Sequence, residues 1–182
     1  MKKHPFRPLA IVLTTALLAS PVGRVFAGER PADWATPEAI VHALYESISA
    51  DPNGQRDWDR YRALFFKDAR MAIALDGKVA QGIMSMSSEQ LVEQTEANYR
   101  STGFHEIPLV TRVQRHGAMA SVYSSFEVRL RATDPKPLMR GLNHFQLLHD
   151  GERWWIVSNV GVMETPNSPL PAEFANASPS AR

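Results

Sequence analysis

Leu138-Met139-Arg140-Gly141-Leu142-Asn143-His144-Phe145-Gln146-Leu147-Leu148-His149, then Asp150-Gly151, then Arg153-Trp154-Trp155-Ile156-Val157-Ser158-Asn159-Val160-Gly161-Val162-Met163: this stretch decides the fold. Two long runs rich in β-branched and aromatic residues flank an Asp-Gly pair, the chemistry of a tight hairpin turn. Working back along the chain, Ala118 to Ala132 and Phe104 to Arg115 repeat the period-two pattern, broken at Asp134-Pro135-Lys136-Pro137 and His116-Gly117. The spacing predicts a four-stranded antiparallel meander of unusually long strands. Such strands twist and curl, so helices laid in the hollow would make a cone open at one end.

Three helices are predicted upstream. Thr36-Pro37-Glu38 supplies an N-cap hydroxyl, a proline at the first helical position and an acid near the positive end of the dipole. Ile40, Val41, Leu44, Tyr45 and Ile48 then fall on one stripe, with His42 off it and solvated. Asp57 caps a short second helix that carries Trp58, Tyr61, Leu64 and Phe65 inward. Ser87-Ser88-Glu89-Gln90 forms a capping box for the third, which Gly103 ends. Between the last two, Arg70 to Leu75 and Lys78 to Gln81 around Asp76-Gly77 read as a short edge or lid hairpin.

The ends carry other information. Met1-Lys2-Lys3-His4-Pro5-Phe6-Arg7 and the apolar stretch Leu9 to Leu18 have the form of a secretory signal, with cleavage expected after Ala27. The apolar run is too short to span a bilayer. Removing residues 1 to 27 leaves 16 basic residues against 19 acidic ones, so the mature chain is mildly acidic and exported, periplasmic or secreted. Nucleic acid and membrane are therefore not expected as partners. The chain has no cysteine, which excludes thiol chemistry, thiolate metal sites and disulfides. Residues 28–35 and 165–182 read as polar tails around one domain over 36–164.

Leu64-Phe65-Phe66-Lys67-Asp68-Ala69-Arg70 and Gly151-Glu152-Arg153-Trp154-Trp155-Ile156-Val157, set in this order of helices, hairpin and meander, resemble the nuclear transport factor 2-like superfamily. Ketosteroid isomerase, scytalone dehydratase and the SnoaL-like polyketide cyclases share that fold. The resemblance runs roughly from Thr36 to Glu164. Ser125-Phe126-Glu127-Val128-Arg129 and Arg140 to Leu147 are similar to segments of an exported, functionally unassigned branch. It implies an α+β cone: a curled sheet of four long strands plus a short hairpin, with three N-terminal helices in its concave face. The family's isomerases and cyclases use an Asp or His acid/base inside the cone, while other members only bind, so the fold by itself assigns no reaction.

Strand alternation sorts the polar candidates. Gly141, Asn143, Phe145 and Leu147 share the expected core face; a buried amide at Asn143 either orients a ligand or joins a structural network. Glu127 and Arg129 are same-face neighbours, either a pocket carboxylate beside a guanidinium or a surface ion pair. Glu106 points into the cone provided no bulge reverses its strand, and its neighbour His105 points away. Trp154 and Ile156 face the core, whereas Trp155 and Val157 on the outer face suggest a homodimer through the sheet.

No zinc-protease, nucleophile-elbow, phosphate-loop or dinucleotide motif occurs, and no cofactor or metal is expected. Three functions follow. The first is a pocket for a small, largely apolar organic ligand, walled by Tyr45, Tyr61 and Phe145, oriented by Asn143 and contacted by Glu127 or Glu106. The second is a cofactor-independent lyase or isomerase with Glu106 or Glu127 as the base. The third is an interaction module whose cone is filled by side chains.

Overall fold

The computed structural model describes residues 30–74 and 82–175. The expected signal and its cleavage site, and the Asp76-Gly77 turn, lie outside the described residues.

The helices form where the capping chemistry puts them. Thr36 Oγ1 accepts from the Ala39 amide at the start of α1 (Pro37–Ile48), and Asp57 accepts from the Arg60 amide at the start of α2 (Trp58–Ala63). Strand β1 (Phe65–Ala74) follows, then β2 (Ile83–Ser87) and α3 (Ser88–Tyr99), whose capping box pairs Ser87 with Gln90 in both directions. The stripe of α1 is buried: Ile40, Val41, Leu44, Tyr45 and Ile48 all sit in the core, while His42 is exposed beside Glu46.

The meander comprises β3 (His105–His116), β4 (Met119–Arg129), β5 (Met139–His149) and β6 (Trp154–Met163), each antiparallel to the next. One feature of the sheet departs from expectation. The expected edge hairpin is part of the same sheet, because the ten-residue β1 runs parallel to β6; the order is β2-β1-β6-β5-β4-β3. The sheet is therefore six-stranded and mixed, and α3 follows its first two strands. A bulge makes the fit: the β1–β6 register shifts between Phe65 and Arg70, where Asp68 takes a positive φ of 63°. Asp is among the few side chains that tolerate that conformation.

Both presumed tails are packed as far as the described residues run. Pro31–Trp34 forms a 3-10 turn in which Trp34 is buried and Asp33 takes a two-pronged grip from Arg60, at 2.7 and 2.8 Å. At the other end, Leu170 and Phe174 are buried. A last turn, α4 (Ala172–Ala175), lays Phe174 on the outer sheet against Tyr123 and Arg112, and Arg140 donates to the Ala175 carbonyl. Two or three apolar side chains suffice to anchor a segment whose overall composition is polar, since each contributes about 2 kcal/mol when buried.

Gly103 is required by the chain path between α3 and β3. Its φ is +80°, and a Cβ there would lie 2.2 Å from the Leu130 carbonyl oxygen. Nearby, the buried Arg56 donates to the Ile48 and Tyr99 carbonyls and to Glu96, tying the ends of α1 and α3 together.

Candidate functional site

The concave side of the sheet and the helices enclose a cavity of about 400 Å³. Its walls are mostly apolar, with Met71, Met84, Met86, Met139 and Met163 among them, joined by Leu44, Ile48, Phe104, Phe126 and Val128. Methionine is flexible and polarisable, so a methionine wall adapts its shape to an apolar guest. The cone is hollow, and the condition set for a purely structural interaction module, a cone filled by side chains, is not met.

Into this wall β3, β5 and β6 bring three polar side chains. Glu106 pairs across the sheet with Val128, on the inward face, ahead of the register shift between Pro108 and Val110. Its place is fixed by its own amide, which donates to Ser49 Oγ at the end of α1 at 3.0 Å. Asn143 Nδ2 donates to Glu106 Oε1 at 3.1 Å and to the Tyr45 hydroxyl at 3.3 Å, using both amide hydrogens. Its Oδ1 accepts from Asn159 Nδ2 at 3.3 Å. Asn143 is thus spent on holding the carboxyl and is 6% exposed.

Glu106 is half-buried and lines the cavity. Burial pushes its pKa up to about 8, with the Asn143 hydrogen bond pulling weakly the other way. Burial raises the Tyr45 and Tyr61 phenols too, and the negative charge of Glu106 adds to both. At neutral pH the carboxyl is therefore largely protonated, and both phenols keep their protons. Tyr61 lines the cavity, and its hydroxyl donates to Met71 Sδ at 3.6 Å, a weak acceptor.

The other sequence candidates lie elsewhere. Glu127 is on the convex face, paired with Arg129 at 2.6 Å, because β4 turns Val122, Ser124, Phe126 and Val128 inward and the alternate residues out. It is a half-buried ion pair on that face and does not line the cavity. Tyr45 stands behind Asn143 rather than in the wall, and Phe145 is fully buried against the edge of Tyr45, ring centroids 6.2 Å apart. Trp155 and Val157 are on the outer face and half-buried. Trp155 is occupied by Asp150, Phe66 and Arg153, and its N–H helps hold the Asp150 carboxyl down to about 2.

Asn159 and the methionines were missed. Strict alternation from Trp154 and Ile156 would turn Ser158 and Val160 inward. The β5–β6 register shifts between Gln146 and Leu147, opposite Val157, and reverses the phase so that Asn159, Gly161 and Met163 face in. Gly161 has its own reason: a Cβ there would lie 2.7 Å from Asn143 Oδ1, so only glycine leaves room for the amide. Among the described residues no three His, Asp or Glu side chains cluster as a metal would need.

Comparison with solved structures places this architecture. A protein of unknown function with a cystatin-like fold from Nostoc punctiforme superposes with a TM-score of 0.53, at 15% identity over 74% of this chain and 92% of that one. The protein has the nuclear transport factor 2-like fold. A nuclear transport factor 2-like protein of unknown function from Silicibacter pomeroyi gives a TM-score of 0.54, at 17% identity over 71% of this chain and 94% of that one. A protein of that family from Streptomyces avermitilis, provisionally named a dehydratase, gives 0.52 at 11% identity over 73% and 96%. No family model matches the sequence, and no curated protein matches it. At these identities the likeness is one of nuclear transport factor 2-like fold alone, and the site must be read from its own residues.

Proposed function

We propose that this nuclear transport factor 2-like domain binds a small, largely apolar organic molecule inside the cone, with Glu106 as its polar anchor. The observation that carries this is the hollow itself: about 400 Å³ walled by methionine, leucine and phenylalanine, with one carboxyl held at its wall by an amide that has no hydrogen left to give. That combination of apolar wall and few placed polar groups is how small-molecule sites are built. Native mass spectrometry of the protein taken from its own exported fraction tests it. A reproducible added mass lost on denaturation is expected. A clean protein mass, with no uptake of apolar probes by the purified chain, would overturn the reading.

One observation favours a second reading, a cofactor-independent lyase or isomerase. A carboxyl with a pKa near 8 gives and takes protons near neutrality, and keeping an ionisable group in an apolar cavity is costly unless it is used. In this reading the Glu106 carboxylate removes a proton from a carbon beside a carbonyl. The electron pair moves onto the carbonyl oxygen, the Tyr61 O–H donates to the resulting enolate, and Glu106 returns the proton elsewhere or a β-substituent leaves. Solvent deuterium appearing in a bound ketone, and vanishing with Glu106→Gln, is the test. Exchange that persists in the variant rules out Glu106 as the base.

Two expectations carry over as proposals. The exported chain works outside the cytoplasm after cleavage near Ala27. A second copy docks on the outer sheet face, where Leu148, Val160 and Val162 are 49%, 53% and 42% exposed, a broader apolar area than Trp155 and Val157 offer. Light scattering on the mature protein checks the second point: a monomer at all concentrations rejects it.

A further inference from the structure

Asn159 is 7% exposed and lines the cavity, yet its Oδ1 has no hydrogen-bond partner among the described residues. The orientation of this amide goes with that of Asn143. Both hydrogens of Asn143 Nδ2 are committed to Glu106 Oε1 and Tyr45, and Asn143 turns its Oδ1 toward β6. Only the Nδ2 of Asn159 can meet that oxygen, at 3.3 Å, and the Asn159 carbonyl is left over. Turning the Asn159 amide round would set two carbonyl oxygens face to face. Buried acceptors are rarely left without a donor, and this one belongs to a side chain of the cavity wall.

From this we infer that the cavity selects molecules carrying a hydrogen-bond donor, an alcohol, phenol or N–H on an apolar body, whose donor is received by Asn159 Oδ1. The inference rests on the proposed ligand-binding role of the cone and adds the class of molecule it takes. Glu106 supplies the complementary half: its Oε2, which Asn143 does not contact, carries the acid proton at neutral pH and can donate to an oxygen of the same guest. A carboxylate guest cannot serve Asn159 Oδ1, since it brings only acceptors, and its charge would have to enter an apolar cavity. An ether or hydrocarbon guest brings no donor and would leave that oxygen bare.

Equilibrium dialysis of the purified protein against 2-naphthol and 2-methoxynaphthalene tests the inference. The two probes share one apolar body and differ in the donor. The phenol is expected to bind about tenfold more tightly, although the ether is the more apolar. Asn159→Leu should bring the two affinities together, whereas Glu106→Gln should keep the phenol preferred. Equal affinities, or a preference for the ether, in the unaltered protein would overturn the inference while leaving a ligand-binding cone in place. A preference that disappears in Glu106→Gln and survives in Asn159→Leu would also overturn it, since the donor would then be received by Glu106. Failure of both probes to bind would remove the ligand-binding reading and the inference with it. The probe comparison on the unaltered protein decides even if Asn159→Leu does not fold.

Discussion

Glu106→Gln separates the cost of keeping an acid in the cone from everything else the residue does. Glutamine matches glutamate in shape, and its Oε1 can still accept from Asn143 Nδ2, as Glu106 does at 3.1 Å. In the folded protein Glu106 titrates at about 8, against an ordinary value of 4.5. The folded value is the higher one, so between about pH 4.5 and 8 the unfolded chain releases a proton that the native state keeps. Stability contributed by the protonated carboxyl is intact below pH 4.5, falls as pH rises through that window, and is fully lost above pH 8. At pH 7 the interval is about 2.5 units at 1.36 kcal/mol each, a ceiling of about 3 kcal/mol. Because the carboxyl opens on a cavity that water can enter, about half that is expected, or about 4 °C in melting temperature for a domain of this size. Thermal melts of the native chain and Glu106→Gln, from pH 4 to 9, read it directly. The curves should coincide near pH 4.5 and diverge as pH rises, with the glutamine variant the more stable. Parallel curves across the range would refute the placement of a buried, neutral carboxyl, and with it the argument for proton transfer.

Three further outcomes are expected, two from the geometry and one from the sequence. Asn143→Ala and Gly161→Ala should both weaken probe binding, the first by removing the amide and the second by placing a methyl carbon 2.7 Å from Asn143 Oδ1; dialysis with 2-naphthol checks both, and a loss of folding equal to the loss of binding would count against a ligand-positioning role. Phe174→Ala should cost about 3 kcal/mol, a large-to-small change at a buried aromatic, and open the last turn to proteolysis. An unchanged melting temperature would show that the C-terminal segment is not anchored. N-terminal sequencing of the exported protein should begin at Gly28, and a chain that retains Met1 would reject the cleaved signal.

What the sequence determined by itself is whatever depends on neighbours along the chain. Caps at Thr36, Asp57 and Ser87, the buried stripe of α1, the turns at His116-Gly117 and Asp150-Gly151 and the inward face of Gly141, Asn143, Phe145 and Leu147 all follow from local rules and recur in the structure. The tertiary structure decided what depends on contacts across the chain. The parallel pairing of β1 with β6 joins residues some 90 positions apart and leaves no periodic trace in either. A bulge adds one residue to one strand, and since side chains alternate with a period of two, that one residue turned Asn159 and Gly161 inward against the phase set by Trp154. The same alternation, unbroken in β4, carried Glu127 to the outside. Glu106 was legible as a candidate, but its elevated pKa was not, because burial is a property of the whole cone and no single element encloses the carboxyl.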